Sequence, residues 1–155
     1  MTKKYVFKPY RDAFSNLFSV EKARIEDAIA ECLDVQHVGS TAIPDLGGKG
    51  IIDIAIAVAE HDLEAVSQKM QGLGYLFRES GSAPERLFFR ADLPDAEENI
   101  RRYHVHLTFL ESREWKGLIL LGYILLGALL TRLSIIFSSH APIIDTYDHC
   151  NDRNK

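Results

Sequence analysis

Apolar residues in the first fifth of the chain recur at helical steps. From Pro9 to Leu33, Phe14, Leu17, Phe18, Ile25, Ile29 and Cys32 fall mostly three or four residues apart, the spacing of one buried helix face. A long first helix is predicted. The period then changes. Val35 to Val38 is a short strand candidate ending at Gly39, and Ile51 to Val58 is a longer one with Ile, Val and Ala on both faces, as a central strand requires. Asp53 is the polar exception inside it.

Asp62 is placed to cap a helix from Leu63 to about Gln71, and Gly72 and Gly74 supply the stop. Three more strand candidates follow, Tyr75 to Arg78, Leu87 to Ala91 and Tyr103 to Leu110. Between the last two, the polar run from Asp92 to Asn99 reads as a turn or loop. Helix, strand, strand, helix and a strand meander predict an α+β fold, a mixed α/β sheet with its helices on one side.

Composition narrows the class without naming a function. At 155 residues, 46% hydrophobic and 26% charged, the chain can bury one ordinary core and is most simply one domain. Its 18 basic and 22 acidic residues give a net charge of −4, so no overall field recruits nucleic acid or an anionic membrane. Cys32 and Cys150 offer no CxxC spacing, which argues against a disulfide scaffold or zinc knuckle. A cytoplasmic location is expected, since no apolar signal core follows Met1 to Tyr5.

The candidate chemistry lies around the first two strands. The run His37-Val38-Gly39-Ser40-Thr41-Ala42-Ile43-Pro44, followed nine residues after Pro44 by Asp53, joins a Gly-Ser turn to a strand carboxylate. That is how a chain builds a phosphate cradle beside a metal ligand. Gly47-Gly48-Lys49-Gly50 is not a Walker loop, because Ile43 occupies the first glycine position and no Ser or Thr follows Lys49.

This string, with Asp45-Leu46, Lys49 to Ile54, Gly74-Tyr75, Arg86-Leu87-Phe88-Phe89 and His104-Val105-His106, resembles the signature of the GrpB family over roughly the first 110 residues. The resemblance implies a nucleotidyltransferase-like fold that binds a nucleotide or another phosphorylated small molecule. In such a site Gly39 lets the backbone approach the phosphates, Ser40 and Thr41 offer donors, and Lys49 adds positive charge. Arg86, with Arg78 and Arg90 on adjacent strand candidates, is placed to line a basic pocket.

Nucleotidyl transfer is an in-line displacement assisted by metal ions on carboxylates. The superfamily usually carries a second carboxylate two residues after the first, on the same strand face; here that residue is Ala55. On the strand expected to supply a third carboxylate stand His104 and His106. With Asp53 they make a candidate site for a divalent metal, magnesium or manganese ahead of zinc. The alternative function is a non-catalytic binding or interaction module that has lost the second carboxylate. Plainer readings of the same residues stand beside these: a simple Gly-Ser turn, an ion pair of Asp53 with Lys49 or Arg86, His104 and His106 on a half-exposed face, and His37 as a hydrogen-bonded core residue or a third ligand.

After Lys116 the sequence leaves the family pattern, which continues with charged amphipathic helices. Gly117 to Phe137 is apolar all round. Residues 1–116 therefore read as the family core, 117–137 as an apolar C-terminal helix of the same domain, and 138–155 as a polar tail expected to be poorly ordered. Three explanations account for the apolar segment: a helix buried on the sheet or in a homodimer interface, a transmembrane helix, or a change of reading frame near residue 117. The first suits an otherwise soluble domain best.

Overall fold

The computed structural model describes residues 6–139, and the side chains of 6–131. The chain forms α1 (Ala13–Ala28), β1 (Asp34–Val38), β2 (Ile52–Val58), α2 (Leu63–Gly72), β3 (Leu76–Phe77), β4 (Arg86–Asp95), β5 (Asn99–Phe109) and α3 (Arg113–Ser139). The five strands make one mixed sheet in the order β1-β2-β5-β4-β3. The central pair β2 and β5 is parallel, and the outer pairs are antiparallel. This is the α+β class expected from the sequence.

Strand alternation divides the molecule into two layers. Ile52, Ile54, Ile56 and Val58 of β2 point to one face, with Val105 and Leu107 of β5 and Phe89 of β4 beside them. Against this face pack Phe14 and Ile25 of α1 and Val66 and Met70 of α2. All of these side chains are almost completely removed from water, and their burial is the main stabilising term of the fold. The opposite face carries Asp53, Ala55 and Ala57, and α3 begins there with Trp115, Leu118 and Ile119 on Val38, Ala55 and Ala57. The helices thus flank both faces of the sheet. The expectation that all lie on one side is corrected by α3.

Three local expectations also change. Asp62 belongs to a 3-10 turn, Glu60–Asp62, and makes no side-chain cap to α2. The polar run 92–99 is not a loop: β4 continues to Asp95, β5 starts at Asn99, and the pairs Asp92↔Arg102 to Asp95↔Asn99 extend the ladder. Ion pairs join the apolar packing of Leu93 there. Arg101, with a side chain only 1% exposed, holds Asp95, itself 2% exposed.

The apolar helix starts earlier than expected, capped where Ser112 Oγ accepts the Trp115 N–H at 2.9 Å. Over its described side chains it is largely not buried within its own chain. Only 6% of the apolar window in Arg113–Thr131 is enclosed. From residue 140 onward, the expectation for the tail lies outside the described residues.

Candidate functional site

The Gly39 turn sets the position of the cleft. β1 ends at Val38, which is paired with Asp53, and Gly39 then takes φ +74°, a left-handed conformation that favours glycine. A Cβ at Gly39 would stand 2.6 Å from Asp53 Oδ2, so only glycine lets the turn lie against that carboxylate. Ser40–Ala42 then forms one 3-10 turn. Gly48 passes so close to it that an added Cβ would meet Ser40 Oγ at 2.3 Å.

Register brings the next residue in. Asp53 pairs with His104 across the parallel β2–β5 ladder, and His104 Nδ1 lies 3.2 Å from Asp53 Oδ1. Both side chains are 24% exposed. The imidazole therefore lies against the carboxylate within ion-pair distance. Ser40, Gly48, Lys49, Ile51, Asp53 and His104 line a cleft of roughly 360 Å³. A smaller one of about 130 Å³ shares Lys49 and Ile51 as its wall and adds Lys8, Glu98 and Arg102.

Lys49 is presented by a segment held on both sides. Lys8 and Gly48 exchange backbone hydrogen bonds at 2.7 and 2.9 Å, and Arg101 Nη1 donates to the Gly50 carbonyl at 3.1 Å. Lys8 Nζ in turn donates to Glu98, which also pairs with Arg101. Arg101, Glu98 and Lys8 therefore hold the loop from both sides of Lys49.

Other expected residues lie elsewhere. Thr41 is buried, its hydroxyl donating to the Ile51 carbonyl at 2.9 Å and accepting from His37 Nε2 at 3.0 Å. Its hydroxyl is turned away from the cleft. His37 pairs with Ile54, on the face opposite Asp53, and stacks on Phe18. Burial lowers its pKa to about 4, with Asp53 opposing. It is the core residue, not a third ligand. Arg86 stands in the row of Thr108, four residues along β5 from His104, with Nη1 2.7 Å from Glu114 of α3. Arg90, beside His104, is paired with Asp92. Arg78, Arg86 and Arg90 thus do not form a single pocket around Asp53.

His106 falls opposite Ala55, one alternation beyond His104, and its ring lies against Phe88. Its Nδ1 is buried without a hydrogen-bond partner among the described residues. Burial lowers its pKa to about 4, against the pull of Asp53. Among the described residues no three His, Cys, Asp or Glu side chains come together to hold a metal. The triad of Asp53, His104 and His106 is therefore a pair with a neighbour. Sequence reasoning missed Arg102, the next residue on the face of His104 and His106. Arg102 and Arg90 hold the carboxyl of Asp92 down at about 2, Arg102 foremost. The i, i+2, i+4 spacing of Arg102, His104 and His106 was the available signal.

The model of the family described as GrpB protein matches residues 4–127, four-fifths of the chain. The chain belongs to the GrpB family. The match continues ten residues beyond Gly117, into the apolar helix. The UPF0157 protein PA4798 of Pseudomonas aeruginosa is 34% identical over 116 residues, covering 69% of this chain and 48% of that protein. The UPF0157 protein YqkA of Bacillus subtilis is 35% identical over 103 residues, covering 63% and 28%. This chain thus spans half or less of the length of these GrpB relatives. The crystal structure of conserved protein GrpB from Enterococcus faecalis has the same fold, with a TM-score of 0.58 at 23% identity over 70% of this chain and 64% of that one.

Proposed function

We propose that this GrpB chain binds a nucleotide or another phosphorylated small molecule in the cleft between the Gly39-Ser40 turn and the Asp53 strand. The observation that carries the reading is the convergence of Ser40, Lys49, Asp53 and His104 on one cleft, with Lys49 held from both sides. Lys49 and the turn suit a phosphate. Asp53 does not, since a carboxylate repels one unless a cation lies between.

A single divalent cation fits that donor set. Asp53 is one hard oxygen ligand, and magnesium or manganese commonly takes one carboxylate together with phosphate oxygens and waters. Zinc suits the set less well, with only one imidazole, His104, beside the carboxylate. When bound, the ion would neutralise phosphate charge. A two-metal transfer site does not fit, because Ala55 holds the place of the second carboxylate on the same strand face. Binding without turnover is the function this geometry supports best.

Calorimetry with ATP, in magnesium and in chelator, tests the reading. Wild type is expected to bind only with the metal, Lys49→Ala to bind at least about tenfold more weakly, which is roughly 1.4 kcal/mol, and Asp53→Asn to lose the metal requirement. Equal affinity in all of these would place the ligand elsewhere. Release of pyrophosphate or phosphate during the same titration would favour transfer over binding alone.

A further inference from the structure

With 27 residues, α3 is about 40 Å long, and among its described side chains those that pack on the sheet, Trp115, Leu118 and Ile119, lie in its first turns. Leu120, Leu121, Tyr123, Ile124, Leu126 and Leu130 are 38–70% exposed. At about 100° per residue they occupy more than half the circumference of the helix. No Asp, Glu, Lys or Arg occurs from Gly117 to Thr131. Soluble chains rarely leave so large an apolar surface bare. Beside the helix runs a groove of about 340 Å³, walled on one side by Tyr123 and Leu126 and on the other by Val38, Ile43 and Pro44.

We propose that a second copy of this chain covers this surface, two α3 helices packing about a two-fold axis with each apolar side against the groove wall of the other. Protruding helix and receiving groove belong to one patch, the self-complementarity that a two-fold interface requires. A lone helix covers a narrow stripe; helix plus groove wall covers the wider exposed arc. The six exposed side chains alone present on the order of 600 Å² per copy, so pairing that covers all of them, with the groove wall, would bury about 1,200 Å² in all, the lower bound for a stable interface. The six exposed helix residues carry no charge, so contact between the two helices brings no like charges together.

The sheet edge disfavours a bilayer as the occupant. The groove follows α3 along β1 as far as Leu126, and Asp34 and Gln36 of that edge strand line it. Lipid around this stretch would bury them.

Light scattering on the full chain after size exclusion, without detergent, tests the proposal. A mass near twice 17.5 kDa is expected. Leu121→Glu/Ile124→Glu should halve it while leaving circular dichroism and cooperative unfolding intact. Leu120→Lys, a single exposed change, provides the same readout should the double variant fail to fold. A monomer at tens of micromolar, a dimer that survives these substitutions, or a protein recovered only in detergent that floats with phosphatidylcholine vesicles would each overturn it.

Discussion

At the scale of single residues, the site rests on one pairing that the sequence left among several options. Asp53 in an apolar strand called for a partner, and Lys49, Arg86 and a metal were the evident ones. Strand register adds His104 to these. His37 and His106 show the same limit: their spacing is legible, but which face each enters depends on the pairing of β1 with β2 and of β2 with β5. Both are held neutral, with pKa values lowered to about 4 chiefly by burial.

An ordinary imidazole in the unfolded chain titrates near 6.5, so between about pH 6.5 and 4 the unfolded chain binds more protons than the folded one. Stability is therefore full above that window and falls as the pH drops through it. Urea unfolding at pH 7.5, 6 and 5 should show a midpoint that declines toward acid, and His106→Leu should flatten the decline. A stability that rises on acidification would contradict both assignments.

At the scale of elements, apolar periodicity located the helices and the five strands, because their core faces are apolar at the right period. It underestimated the β4–β5 hairpin because that end of the ladder is paired through charge. Burial opposes a charge on Asp95, but hydrogen bonds from Arg101 and from the Glu98 and Glu97 N–H groups outweigh it and hold its carboxyl below the usual range. Arg101→Met leaves Asp95 buried without its cation and is expected to cost about 3 kcal/mol or more in denaturant unfolding. Adding Asp95→Asn should restore part of that loss. An unchanged midpoint in Arg101→Met would show that the pair does not support the hairpin or the Gly50 segment it holds.

At the scale of the whole molecule, fold class and family were legible because the Gly39–Asp53 region and the strand order that follows span most of the sheet. The setting of α3 was not. An all-round apolar helix satisfies burial in its own chain, in a partner or in lipid equally well by composition, and only its contact along β1, with exposed residues beyond, separates them. The site and the apolar helix share one sheet face but use different stretches of it. Asp53 and His104 lie beside the Gly39 turn, while Trp115 sits over Ala55 and Ala57.

Mapping amide and side-chain NMR shifts of the ¹⁵N-labelled chain during titration with ATP and magnesium tests the central claim most directly. Ligand in the cleft should perturb Gly39, Ser40, Lys49 and His104 together, saturably and only with the metal present. Shifts confined to the α3 groove, or none at millimolar ATP, would contradict it.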